Sequence, residues 1–245
     1  MLLLRELAAR GSLGWNLRDL ATHCNLDRGT VRRILQCLVR ERLALEHGTD
    51  QRYSIGPLSY ELGASMPRYA EFNELARATV RKLARAIPRV VALAYLRSGD
   101  DCVCIARSGS SSYTREGTGI RLGHRTPMLS LVGGVSILAA LPPAQAQDVV
   151  ARNRLQLAHL GAAHLARSEA LVRARDRSGC VVSGGVVWHG VHALSVAFRK
   201  GADAVGSLAL GGSEDDYPGD TIREAAKELT AAASSLGQAA GELLA

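Results

Sequence analysis

A cluster of side chains near the amino end has the composition needed to contact duplex DNA. Within one short stretch the chain carries Arg28, Gly29, Thr30, Arg32, Arg33 and Gln36. Arginine and glutamine carry the hydrogen-bonding groups that match guanine and adenine edges in the major groove, and arginine and threonine also bind phosphates. These residue types predict a DNA contact surface if a single helix presents them together.

The spacing of these residues predicts such a helix. Asp27 is a typical N-cap, and a helix is expected from Arg28 to about Arg42. At helical periodicity the donors share one face, and the opposite face is aliphatic, carrying Val31, Ile34, Leu35 and Leu38. We therefore expect the aliphatic stripe to anchor the helix and the donor face to point outward.

The flanking segments predict the rest of a winged helix-turn-helix. A first helix is indicated by the apolar spacing from Leu3 to Ala8, and Asn16 is expected to cap a second, short helix. After the recognition helix, residues 44–46 and 52–55 read as the strands of a hairpin with a turn at 47–51. Arg52, with Thr49 or Gln51 at the tip, is predicted to touch phosphate or the minor groove.

The run from Leu17 through Asp27-Arg28-Gly29-Thr30-Val31-Arg32-Arg33-Ile34-Leu35 to Arg52-Tyr53-Ser54-Ile55-Gly56-Pro57 resembles the winged helix of the IclR family of bacterial transcription regulators. Segments 123–134, 190–195 and 205–212 are similar to parts of that family's sensor domain. Family members carry further residues before the first helix, whereas Met1 lies almost inside it here, so the resemblance implies either a shortened chain or a misassigned start.

This resemblance implies an α+β protein in two parts. We expect a winged helix-turn-helix DNA-binding domain at 1–58, a linker helix region at 59–87, and a GAF-like effector-binding and oligomerisation domain at 88–245. The resemblance also implies a homodimer or homotetramer on palindromic double-stranded DNA. A catabolic operon is the expected target.

The second domain reads as an antiparallel sheet with helices packed to one side. Strands are expected at 90–97, 101–107, from Ile120, at 180–187, 191–199 and 204–210. Helices are expected at 130–141, from Pro143 to about 152, at 166–177 and from about Pro218 to 244, and a polar loop at 109–117.

The resemblance implies an effector site whose polar side chains hold a small organic acid. Where the family often has polar groups, this chain has Ser183, Ala193, Ala209, Gly211, Leu129 and Leu131. An apolar wall is expected from Met128, Leu129, Leu131, Val187 and Trp188, which suits a larger, flatter ligand such as an aromatic acid. The alternative is a pocket filled by its own side chains.

A redox sensor, a metal-binding protein and an enzyme are the alternatives to a regulator. Cys102 and Cys104 share one strand face, which suits either a redox sensor or two buried small side chains. His189, His192 and Cys180 fit no standard zinc spacing, so no metal or cofactor is expected. No nucleophile–base pair or carboxylate pair is evident, so an enzyme is the least favoured alternative.

Bulk composition agrees with a folded protein that favours polyanions. The net charge is +7, with 47% hydrophobic and 22% charged residues. Its five cysteines are an odd number, and the longest apolar stretch, 128–141, is too short to span a membrane. We expect a cytoplasmic protein with reduced thiols and no membrane partner.

Overall fold

The computed structural model divides the chain into two compact units, residues 1–70 and 71–245. It describes residues 1–48, 51–110, 120–174, 179–217 and 221–244. The sequence-based boundaries at 58 and 87 differ from this division, and the linker region stays a prediction.

The first unit is a small helical domain with a three-stranded sheet. Its helices are α1 (Leu2–Arg10), α2 (Leu17–His23), α3 (Arg28–Arg40) and α4 (Leu58–Ala64). Its strands are β1 (Trp15–Asn16), β2 (Ala44–His47) and β3 (Arg52–Ile55), and all pair antiparallel in the order β1-β3-β2. Helix α5 (Pro67–Ala86) begins in this unit and continues into the second.

Two N-caps predicted from the sequence are present. The backbone N–H of Asp19 donates to Asn16 Oδ1 at 2.8 Å, and that of Thr30 donates to Asp27 Oδ2 at 2.9 Å. Helix α3 ends at Arg40, two residues short of the prediction, because Arg42 adopts a left-handed backbone conformation with φ +60°. Each of these signals is local, so the boundaries of α2 and α3 follow from a few residues.

The second unit contains one six-stranded antiparallel sheet and the remaining helices. The strands are β4 (Val91–Ser98), β5 (Asp101–Gly109), β6 (Arg125–Pro127), β7 (Cys180–Val182), β8 (His192–Lys200) and β9 (Asp203–Gly212), in the order β6-β5-β4-β9-β8-β7. The helices are α6 (Val132–Ala140), α7 (Pro143–Gln156), α8 (Ala162–Arg173) and α9 (Thr221–Leu243).

Helices cover both faces of this sheet, so the prediction that they pack to one side is wrong. Ala92 and Ala94 of β4 face α5 and α9, whereas Val91, Leu93 and Tyr95 face α6, α7 and α8. All five residues are buried, as expected for a central strand with apolar packing on both sides. The predicted α+β class with an antiparallel sheet is confirmed.

Several predicted boundaries in the second unit are also corrected. The strand expected at 180–187 ends at Val182, because the chain turns through Gly184 and Gly185, both with positive φ. The short strand expected from Ile120 is not formed at 120–124, and β6 instead lies at Arg125–Pro127, where the sequence indicates a turn. The helix expected from Ser130 begins at Val132 after a single turn at Met128–Ser130.

The remaining differences lie at helix ends and next to segments outside the described residues. Helix α8 starts four residues before the predicted 166 and ends at Arg173. Helix α9 starts at Thr221. Residues 111–119, 175–178 and 218–220, on which parts of the predicted loop and of two predicted helices fall, lie outside the described residues.

Within the described residues, none of the helices combines the length and apolar character needed to cross a bilayer.

Candidate functional site

Helix α3 presents its donor face to solvent. Five of the six predicted contact residues on this helix are exposed, and Thr30 is half-buried; the exposed ones are Arg28, Gly29, Arg32, Arg33 and Gln36. The opposite face packs into the unit's core, where Val31 and Leu35 are fully buried. The helix therefore has one face packed into the core and one face exposed to solvent, as binding in the major groove requires.

One aliphatic residue departs from the predicted stripe. Ile34 is 37% exposed, whereas Leu38 packs partly against the core. Ile34 lies at the edge of the aliphatic arc, so the buried stripe is narrower than the sequence indicated.

The arginines of α3 carry no acidic partner within the described residues. Arg28 and Arg32 form no ion pair there, and Arg33 makes only a long contact of 3.5 Å to Thr30 Oγ1. Gly29 lies beside the N-cap, where an added Cβ would stand 3.0 Å from Asp27 Oδ2. The start of α3 thus combines unpaired positive charge with little side-chain bulk, which favours close approach of a polyanion.

The predicted hairpin follows α3 as strands β2 and β3. Arg52, predicted to bind phosphate, is half-buried, and its Nη1 donates to the carbonyls of Leu13 at 3.0 Å and Gly14 at 3.5 Å. These bonds tie β3 to the turn after α1, which gives Arg52 a structural contact. Gln51 is exposed, and Thr49 lies outside the described residues.

The second unit contains a cavity of about 360 Å³ between the sheet and the start of α6. Five of the predicted effector-binding residues line it: Leu131, Trp188, Ala193, Ala209 and Gly211. Ala209 and Gly211 alternate along β9, and Ala193 pairs with Gly211 across β8. The cavity lies on the sheet face that α6 covers.

Four predicted effector-binding residues do not line this cavity. Met128 and Leu129 are fully buried in the core, and the N–H of Leu129 donates to Asn153 Oδ1 at 2.9 Å. Val187 is buried against residues of α6 and β7. Ser183 Oγ accepts from the N–H of Ala193 at 3.0 Å, so its hydroxyl closes the turn after β7.

Most of the lining was not predicted from the sequence. It comes chiefly from β4, β5 and the segment before α6, and the additional residues are Val91, Leu93, Tyr95, Arg107, Ile120, His124, Thr126, Ser130, Val132, Gly133, Val191 and Leu210. The alternation Val91-Leu93-Tyr95 is visible in the sequence, but Ala92 and Ala94 are apolar too, so it does not reveal which face borders a cavity.

The described part of the cavity wall is mostly apolar. Among the lining residues that the structure describes, Arg107 is the one cationic side chain apart from histidine, and none is acidic. Burial, with the nearby charge of Arg121, lowers the pKa of His124 below its usual 6.5, so this imidazole is neutral at pH 7. The cavity therefore favours an anion with an apolar body.

Trp188 covers one side of the cavity. Its Nε1 donates to the carbonyl of Ser130 at 2.9 Å, and its ring packs on His164 with a centroid separation of 5.2 Å. It remains 43% exposed. The indole thus links the turn between β7 and β8 to the segment that leads into α6.

Cys102 and Cys104 are both fully buried in the core. Burial raises the pKa of Cys104 to about 11 and that of Cys102 further. A protonated, inaccessible thiol reacts slowly, which argues against the redox alternative.

The family model for the IclR helix-turn-helix domain matches residues 2–47. No curated protein matches the chain in sequence. Solved structures of IclR regulators share its fold over nearly the whole length. The IclR transcriptional regulator of Alicyclobacillus acidocaldarius is 22% identical with a TM-score of 0.73, and the alignment covers 98% of this chain and 96% of that one.

Two more of these structures extend the comparison. An IclR family transcriptional regulator from Brucella abortus is 16% identical with a TM-score of 0.74, covering 97% of this chain and 91% of that one. An IclR homologue from Microbacterium hydrocarbonoxydans, in complex with 4-hydroxybenzoate, is 14% identical with a TM-score of 0.69, covering 97% and 98%. At these identities the likeness establishes the fold.

Proposed function

We propose that the chain is a DNA-binding transcription regulator of the IclR type, and that an aromatic acid bound in the cavity of the second unit controls its affinity for operator DNA. The observation that carries this proposal is the cavity itself, whose described lining has apolar walls, one arginine and no acidic group. A monoanion with a flat apolar body satisfies both features. The expected target is a catabolic operon.

The proposed DNA contacts follow from the exposed face of α3. Arg28, Arg32 and Gln36 reach base edges in the major groove, while Thr30 and Arg33 hold phosphates. Arg52 is left out of this set because its guanidinium already donates to two backbone carbonyls. Because Gly29 has no side chain, the first turn of α3 can approach the duplex closely.

A homodimer or homotetramer presents two such helices to the two halves of a palindromic operator. A ligand changes DNA affinity only if it binds the DNA-competent and DNA-incompetent geometries unequally. The effector therefore acts by shifting the population of dimer geometries.

The aromatic nature of the ligand is proposed on two grounds. The five predicted residues that line the cavity are apolar or small: Leu131, Trp188, Ala193, Ala209 and Gly211. They offer area to bury, which stabilises a complex by about 25 cal/mol per Å². Moreover, a homologue of the same fold is complexed with 4-hydroxybenzoate.

A thermal-shift series tests the proposal. Wild-type protein is titrated with benzoate, 4-hydroxybenzoate and aliphatic acids, and we expect the aromatic acids to raise Tm the most. A ligand at 100 times its Kd adds about 2.7 kcal/mol of stability. An aliphatic acid that alone raised Tm would contradict the aromatic assignment.

A matched pair of variants ties that effect to the cavity. Gly211 lines it and has no atom within 4 Å of an added Cβ, so Gly211→Leu fills the cavity without a backbone clash. Gly241 in α9 has equal space and lies outside the cavity, so Gly241→Leu is the control. We expect Gly211→Leu to lose the ligand-induced shift and Gly241→Leu to keep it.

A further inference from the structure

We propose that Arg107 and Tyr95 form the acid-binding end of the cavity, so that this chain recognises the effector's carboxylate through β4 and β5. The inference rests on the proposed function, because it names the groups that would select an acid at that site. The positions at which the family resemblance implies polar side chains do not provide groups that would bind a carboxylate in this cavity. Those that line the cavity are Leu131, Ala193, Ala209 and Gly211, which offer no side-chain donor.

Among the residues that the structure describes, Arg107 forms one hydrogen bond to the protein and keeps further N–H donors available for a ligand. It pairs with Leu93 across β4 and β5, and both residues line the cavity. Its Nη1 donates to the carbonyl of Ile120, another lining residue, at 2.9 Å. A guanidinium has five N–H donors, so most stay open. Within the described residues no carboxylate neutralises it.

Tyr95 offers a hydroxyl that the protein does not satisfy. The residue is only 2% exposed and lines the cavity, and its hydroxyl makes no hydrogen bond within the described residues. Burial raises its pKa well above 10, so it remains a proton donor, and Arg107 is close enough to oppose that shift. This hydroxyl opens to the cavity, where an oxygen atom of the ligand is expected to accept from it.

The ring of Tyr95 has little freedom to turn away. It packs directly on Gly133 at the start of α6, where an added Cβ would lie 2.7 Å from Cδ2 and Cε2. The direction of the hydroxyl is therefore set by the close contact between β4 and α6. A hydroxyl donor and a guanidinium that line the same cavity suit the two oxygens of a carboxylate.

The other polar groups of the lining are engaged or uncharged. Ser130 Oγ donates to the carbonyl of Pro127 at 2.8 Å. Thr126 Oγ1 lies 3.4 Å from His124 Nδ1, and this imidazole is neutral at pH 7. Among the described lining residues, Arg107 is thus the group that distinguishes an acid from a neutral ligand of the same shape.

Comparing benzoate with benzamide tests this assignment, because the two have similar shapes and only one is charged. Kd values are measured by calorimetry for wild type, Arg107→Gln and Arg121→Gln. Arg121 is also exposed and near His124, but does not line the cavity. We expect wild type and Arg121→Gln to prefer benzoate by about tenfold or more, as for a charge-assisted hydrogen bond. In Arg107→Gln the two Kd values should converge.

Tyr95→Phe provides a second readout. It should weaken benzoate binding severalfold with little change in Tm, because a hydroxyl that has no protein partner is removed. Equal preference for benzoate in wild type and Arg107→Gln would overturn the inference, since another group would then hold the carboxylate. If wild type bound neither benzoate nor benzamide, the proposed aromatic effector would fail and the inference with it. Binding of both compounds without charge preference would defeat the inference alone.

Discussion

Trp188 Nε1 donates a 2.9 Å hydrogen bond to the carbonyl of Ser130, and both residues line the cavity. The carbonyl belongs to the single turn that precedes α6, so the indole joins two walls of the cavity. A ligand bound between these two walls is therefore expected to affect the position of Trp188.

Trp188 should therefore report ligand binding. We expect an aromatic acid to change the fluorescence of the wild-type protein and Trp188→Phe to abolish that change. The other tryptophan, Trp15, lies in the first unit, so Trp15→Phe serves as the control and should retain it. A ligand-induced signal that persisted in Trp188→Phe and vanished in Trp15→Phe would place the ligand elsewhere.

Asn153 holds the single turn that precedes α6. It is fully buried, and it accepts from Leu129 N–H at 2.9 Å and donates to the Asp100 carbonyl at 3.1 Å. Asn153→Leu leaves the Leu129 N–H without an acceptor, so the free energy of unfolding should fall by about 1–3 kcal/mol. Urea unfolding measures this loss. The exposed Gln145→Leu on the same helix is the control, and an equal effect in both variants would contradict the assigned role.

Arg32 should contribute specificity as well as charge. We expect Arg32→Ala to weaken operator binding by about 1–3 kcal/mol and to relax the preference at one base position. Arg32→Lys keeps the charge, so it should retain binding to non-operator DNA while losing preference at that base. Fluorescence anisotropy with operator and scrambled duplexes measures both effects. Unchanged operator affinity in Arg32→Ala would remove this residue from the interface.

The stability of the protein should depend on pH through two histidines. Burial lowers the pKa values of His124 and His164 in the folded protein below 6.5, aided by Arg121 and Arg167. The unfolded state then binds more protons just below pH 6.5, so the free energy of unfolding falls as pH decreases through that range. Below the folded-state pKa values, this contribution no longer changes. Urea unfolding of His164→Gln should show a weaker dependence, and an unchanged slope would exclude His164 as a source.

The winged helix could be read from the sequence almost to the residue because its signals are local. Asn16 and Asp27 cap the helices that follow them, and the alternation of apolar and donor residues along α3 has one clear period. The departures are small: α3 ends two residues early, Ile34 is part-exposed, and Arg52 donates to the turn after α1.

The second unit was harder to predict because its key contacts are long-range. Strand β4 is apolar at every position from 91 to 95, so its sequence does not show that both faces are covered. Arg107 and Tyr95 come to line the same cavity as Ala209 only through the pairing of β4 with β5 and β9. Resemblance to a family identified parts of the sensor domain, but it directed attention to positions that are apolar in this chain.

The most direct test of the account measures operator affinity with and without ligand in the same variants. Fluorescence anisotropy uses a labelled operator selected from genomic DNA, with wild type, Gly211→Leu and Gly241→Leu in the absence and presence of the aromatic acid that stabilises wild type most. The account predicts a ligand-dependent change of Kd in wild type and Gly241→Leu, and none in Gly211→Leu. An equal ligand effect in all three proteins, or no effect in wild type, would contradict it.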